Sequence, residues 1–165
     1  MQDYREVTGR FDAIVSVEMI EAVGEEYWPT YFRAIDDLLA PGGVAAIQSI
    51  LMAHDRYLAT RHSYGWIQKH IFPGGLIPSV EAIEETTSAH TSLRVTATHR
   101  FGRDYAETLR RWRATFLEEW PAIAAAGFDE TFRRTWEFYL AYCEAGFAAD
   151  YIDVAQIRLE RSEIS

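Results

Sequence analysis

The chain of 165 residues predicts an α/β fold with a helical insertion. Three features predict it. Phe11 to Val17 is a near-continuous apolar run, Val44 to Leu51 is a second, and between them Trp28, Phe32, Ile35 and Leu39 recur at helical spacing. Apolar runs of this kind suit strands covered on both faces of a parallel sheet. Strand, helix and strand within about 40 residues make a right-handed βαβ unit.

The remaining elements follow in order. Pro29 is tolerated in the first turn of the helix, and Pro41-Gly42-Gly43 closes it. From Ala53 to Ser92 the pattern loosens, and HIFPGGLIPS, residues 70 to 79, reads as a structured loop with Ser79 capping a short helix. Leu93 to Phe101 is rich in β-branched residues and is expected to be a third strand. Tyr105, Leu109, Trp112 and Phe116 mark one face of a long helix, and Phe132, Trp136, Leu140, Cys143 and Phe147 mark another. Tyr151 to Leu159 returns as a final strand.

Composition restricts the function. Apolar residues make up 48% and charged residues 25% of the chain, which is ordinary for a folded domain. The formal charge of -9 argues against nucleic acid as a partner, since phosphate binding over a broad surface needs clustered Lys and Arg. Local arginines can still meet an anionic headgroup. The chain holds no apolar stretch of spanning length and no signal-peptide pattern at its start, so a cytoplasmic location is expected. One cysteine, Cys143, excludes an internal disulfide, and the five histidines lack i, i+4 metal spacing, so no metal is implied.

Parallel α/β sheets place ligands at the carboxyl ends of their strands. Glu18 and Glu21 follow the first strand, and Gln48, Ser49 and Ile50 lie near the end of the second. Two readings stand: a shared pocket, or carboxylates that merely favour the N-terminus of the following helix. Trp112, Phe116, Trp120, Trp136, Phe138 and Tyr142 likewise read as core for the most part, with a ligand-lining or cation-stabilising role as the alternative.

The blocks FDAIVSVEMIEAVG, EYWPTYFRAIDDLLAPGG, IFPGGLIPS, FGRDYAETLRRW and FYLAYCEAGF together resemble the cyclopropane-fatty-acyl-phospholipid synthases, a branch of the S-adenosylmethionine-dependent methyltransferases. The resemblance spans almost the whole chain. It implies a partial class I, Rossmann-like methyltransferase sheet with a helical lipid-binding insertion. It also implies S-adenosylmethionine as methyl donor, and as acceptor a cis double bond in a phospholipid acyl chain at the membrane surface. In that chemistry the alkene takes up the methyl, leaving a carbocation that loses a proton to bound bicarbonate as the ring closes.

By the same resemblance Glu21, Ile50 and Tyr105 border the bicarbonate, with Gln48 standing where some members carry histidine. An amide hydrogen-bonds an anion but does not titrate, which separates Gln48 from a proton relay. Tyr4 and Arg5 match the cofactor edge beside the adenine. Cys143 matches the cysteine traditionally designated the active site, although its helix stripe reads as a small buried apolar residue.

The glycine-rich turn and acidic ribose ligand that open such a domain do not precede Phe11. Residues 1–165 are therefore expected to be the C-terminal portion of a single methyltransferase domain whose N-terminal strands are missing. A fragment, a proteolytic product, and a half that pairs with another chain or forms a homo-oligomer all fit that expectation. A catalytically silent lipid- or partner-binding module is the alternative function.

Overall fold

The computed structural model describes residues 2–162. Two apolar segments, β1 (Phe11–Val17) and β2 (Leu39–Met52), pair in parallel around helix α2 (Trp28–Leu38). With β3 (Leu93–Arg100) and β4 (Ile152–Arg161) they form one four-stranded sheet in the order β1-β2-β4-β3, the last pair antiparallel. The sheet is thus mixed, as an α/β domain with an antiparallel edge strand requires. The described residues divide into a sheet unit, residues 2–100 and 154–162, and a helical unit, residues 101–153.

In the sheet unit, α2 buries Trp28, Tyr31, Phe32 and Ile35, the i, i+3, i+4, i+7 face of an amphipathic helix. These pack with Ile20, Ile47, Leu51, Ile83, Ile157 and Leu159 into one core. At the C-terminal end of α2, Arg161 donates through Nε to Asp36 Oδ1 at 2.8 Å and through Nη2 to the Asp36 and Leu39 carbonyls. Arg10 reaches the Asp37 and Leu39 carbonyls from another direction. The helix's orphan carbonyls therefore meet two guanidinium groups. Burial pushes the Asp36 carboxyl up, but hydrogen bonds from Ser92 and Arg161 outweigh it and hold the group below its ordinary value.

Two expectations shift here. Pro41-Gly42-Gly43 does not lie outside the strand: β2 already begins at Leu39, and the register jumps from Phe11↔Leu39 to Ala13↔Val44 across it. A Cβ at residue 43 would stand 2.9 Å from the Ala40 carbonyl oxygen and 3.1 Å from that of Phe11, so only glycine fits the bulge. Nor is β1 covered on both faces. Val15 is 72% exposed and Val17 is also exposed, so no described element covers that face of this edge strand.

A short helix α1 (Ile20–Val23) precedes α2, and the loose segment after β2 is more regular than its pattern, holding α3 (His54–Thr60), α4 (Trp66–His70) and α5 (Val80–His90). Ser79 caps α5 as expected, accepting from the Ala82 N–H at 3.0 Å.

The helical unit contains α6 (Gly102–Glu118), α7 (Trp120–Ala125) and α8 (Glu130–Ala148). Leu109, Phe116, Leu140 and Phe147 are buried, and Arg113 pairs with Glu144 at 3.0 Å. Three of the aromatics read mostly as core are half-exposed: Trp112 at 51%, Phe138 at 50% and Tyr142 at 53%. On α8 the reason is helical phase. Phe132, Trp136, Leu140, Cys143 and Phe147 share one face, and Phe138 and Tyr142 fall on the other with Arg134.

Candidate active site

The turn after β1 is built to place a carboxylate. Glu18 takes a left-handed backbone, φ 49°, costly for a non-glycine residue and found where surrounding contacts enforce it. Those contacts are specific. The Glu18 N–H donates to the Gln48 carbonyl at 2.8 Å, continuing the β1–β2 ladder, and Trp28 Nε1 donates to the Ile20 carbonyl at 3.2 Å. The Leu76 N–H holds the Glu21 carbonyl at 2.8 Å.

Glu21 consequently enters the sheet's carboxyl edge half-buried. Its Oε1 accepts from Ser49 Oγ at 2.9 Å and from the Ile50 N–H at 2.6 Å. Its Oε2 is buried and has no hydrogen-bond partner among the described residues. Burial raises the Glu21 carboxyl above its ordinary value, hydrogen bonds from its own backbone, the Ile50 N–H and the Ser49 hydroxyl only partly offset this, and the Glu18 charge adds to the rise. The nearby Tyr31 phenol, pushed up to about 12 by burial, donates to Ser16 Oγ at 2.7 Å.

Gln48 and Ile50 both make polar contacts along this edge. The Ile50 N–H is committed to Glu21. Gln48 Nε2 donates to Glu18 Oε1 at 2.9 Å, while Gln48 Oε1 accepts from Gln156 Nε2 at 3.3 Å. Gln156 was not anticipated from sequence. It stands on β4, 108 residues away, and no local pattern marks it.

Tyr4 and Arg5 belong to the same unit. The Tyr4 ring stands edge-on to Tyr31, centroids 5.9 Å apart, and Arg5 grips Asp3 through Nε at 3.0 Å and Nη2 at 2.7 Å. Tyr105 and Cys143 lie in the helical unit. The Tyr105 ring packs 4.9 Å from Phe147 and 6.1 Å, edge-on, from Trp112. Burial pushes the Cys143 thiol up to about 11, with Tyr139 opposing, so it is a protonated packing group near neutral pH.

A further cluster flanks the Glu21 turn. Glu25 Oε1 accepts from Tyr57 Oη at 2.5 Å and from Arg61 Nη1 at 2.9 Å. Tyr57 is fixed by stacking between Trp28, 6.1 Å, and His54, 5.8 Å. Beside this triad opens a cleft of about 510 Å³, bounded by the Glu25-Glu26 turn, residues 61–64 and the turn at Gly74–Leu76. Tyr57 and Arg61 stand at i, i+4, a helical signal present in the sequence, but their common partner Glu25 lies beyond any periodic pattern. No helix among the described residues is long and apolar enough to cross a membrane.

The family model described as mycolic acid cyclopropane synthetase matches residues 1–157. The tuberculostearic acid methyltransferase UfaA1 of Mycobacterium tuberculosis is 55% identical over 159 residues, 96% of this chain and 37% of that protein. The cyclopropane-fatty-acyl-phospholipid synthase of Escherichia coli K12 is 37% identical over 161 residues, 98% of this chain and 40% of that one. Among solved structures, mycolic acid cyclopropane synthase CmaA1, complexed with SAH and CTAB, matches with a TM-score of 0.84 at 26% identity, covering 96% of this chain and 58% of that chain. The chain spans about two-fifths of the length of these curated relatives.

Proposed function

The chain belongs to the mycolic acid cyclopropane synthetase family, and from that premise we propose that it carries the acceptor side of a methyltransferase acting on the cis double bond of a phospholipid acyl chain. It does so as the C-terminal portion of the domain. The observation that carries this reading is the Glu21 carboxylate: one oxygen is fixed by Ser49 and Ile50, and the other is buried without a partner. An acceptor left bare in a buried position costs stability unless a ligand uses it.

Bicarbonate fits that oxygen, because it brings a hydroxyl donor to an acceptor-only group. Glu21 would hold it, and bicarbonate would there supply a base for the proton lost when the ring closes. S-adenosylmethionine, when bound, supplies an electrophilic methyl group. Carboxylates at 18 and 21 suit a cationic donor, and Tyr4 and Arg5 are assigned to its adenine edge. The chain's own contribution is positioning. Ser49 and Ile50 fix Glu21, while Gln48, an amide, orients Glu18 without exchanging a proton.

The test joins this chain to the amino-terminal portion of the UfaA1 relative and supplies S-adenosylmethionine with vesicles of unsaturated phospholipid. One CH2 gained per acyl chain is expected, and proton NMR separates a ring from a branched product. Glu21→Gln is expected to lower turnover at least about a hundredfold, the range of lost acid–base assistance, and Cys143→Ser less than about tenfold. Equal losses in both variants would reject the assignment. Vesicle binding with no acyl mass gain would support a silent lipid-binding module instead.

A further inference from the structure

We infer that Glu18 is a positioning residue for Glu21: Gln48 clamps its carboxylate at the carboxyl edge of the sheet, and the negative charge fixed there strengthens the hold of Glu21 on a proton shared with a bound anion. In the reaction this role rests on the acyl-transfer reading above; in the free chain it rests on the turn alone.

Position 18 disfavours a side chain. Its φ of 49° suits glycine, and any other residue there costs stability that its contacts must offset. A carboxylate stands there nonetheless, tied twice to one partner. The Glu18 N–H donates to the Gln48 carbonyl at 2.8 Å, and Gln48 Nε2 donates to Glu18 Oε1 at 2.9 Å. From β4, Gln156 Nε2 donates to Gln48 Oε1 at 3.3 Å, which turns the amide so that its N–H meets the carboxylate. An amide suits this task because it donates to a charge without titrating itself.

The same strand sets the spacing. Ile50, two residues beyond Gln48 on β2, holds Glu21 Oε1 through its N–H at 2.6 Å. Both carboxylates are half-buried, and their anchor points lie about 7 Å apart along the strand. Like charges at that separation still repel each other appreciably near a protein surface. Glu21 Oε2, buried and without a hydrogen-bond partner among the described residues, is where a shared proton would sit. A fixed negative charge alongside makes that proton harder to release.

The other groups around Glu21 do not compete for this role. From α2 comes the Tyr31 phenol, pushed up to about 12 by burial and donating to Ser16. β2 supplies Ser49 and the Ile50 N–H, and the turn ending at Leu76 supplies a backbone N–H to the Glu21 carbonyl. Glu25, one helical turn further on, is paired with Arg61.

The first test needs neither methyl donor nor turnover. In the 165-residue chain, with carbon-13 at the glutamate carboxyls, NMR reads the titration midpoint of Glu21. Glu18→Gln keeps an acceptor for Gln48 and removes the charge. It is expected to lower the Glu21 midpoint by about one pH unit. Gln48→Leu, which frees the Glu18 side chain and leaves its charge, is expected to give a smaller fall in the same direction, and it carries the test if Glu18→Gln unfolds. Glu18→Gly is expected to lower the Glu21 midpoint as far as Glu18→Gln while raising the unfolding temperature. An unchanged Glu21 midpoint in Glu18→Gln overturns the inference, and so does a lower unfolding temperature in Glu18→Gly. In the joined protein, Glu18→Gln is expected to move the acid limb of the turnover–pH profile downward by a similar amount and to lower its plateau, since a weaker base takes up the proton more slowly. An acid limb that stays in place also overturns the inference. A native joined protein that adds no mass to the acyl chain rejects the acyl-transfer reading alone, and the carboxyl titration still decides the role of Glu18.

Discussion

At the scale of single residues, Glu21 sets stability against function. Its folded carboxyl binds a proton more tightly than the unfolded one, so ionised Glu21 destabilises the fold near neutral pH. This contribution fades as pH falls through the raised value toward the ordinary 4.5. The difference in midpoint temperature, native minus Glu21→Gln, is therefore expected to rise as pH is lowered from 7.5 to 5, read by circular dichroism. A flat difference would place Glu21 in water. Asp36 acts in the opposite sense: its depressed carboxyl gives stability above its unfolded value that is lost as pH falls through the folded one. Comparison with the variant cancels that background. The cluster of Glu21, Ser49 and Ile50 was legible because all three stand at the ends of recognisable strands. Gln156 was not, since a partner 108 residues distant leaves no trace in spacing.

Among elements, β1, α2 and β2 were legible because a 3.6-residue pattern between two apolar runs admits few folds. The exposure of β1 was not, since an apolar run does not say whether both its faces are covered. The bare flank is testable: Val15→Lys is expected to reduce concentration-dependent association in sedimentation velocity with little loss of stability, as charges on edge strands do. Helix α2 depends more on its end than its propensity suggests. Arg161→Ala removes donors from Asp36 and from the carbonyls of Asp36, Leu39 and Ala40. A loss of about 2–3 kcal/mol in urea unfolding is expected, with Arg161→Lys recovering less than half because an ammonium lacks the planar fork. Helices α3 and α4 escaped the sequence pattern because each is under two turns long, too short for a period to declare itself.

For the whole molecule, the insertion was legible as two aromatic-striped helices, but which rings they bury depends on a phase difference that composition does not reveal. The register gives a direct test of how independent the sheet unit is. Arg100 pairs with Ala155 across β3 and β4, so the ends of the helical unit leave from opposed positions. Replacing residues 101–153 by a short Asn-Gly turn is expected to yield a chain that still unfolds cooperatively and keeps its buried Ile47 and Ile157 methyl signals. Loss of dispersion in those signals would show that the sheet needs its insertion.

The amides linking Gln156, Gln48 and Glu18 point one way along their whole length. Each donor fixes how its neighbour must turn, so the chain has a grammar: the last word, a carboxylate, decides the order of those before it. A methyl-for-amide replacement at Gln156 should therefore be heard on the neighbouring strand, as loosening of the Gln48 side-chain amide in exchange measurements.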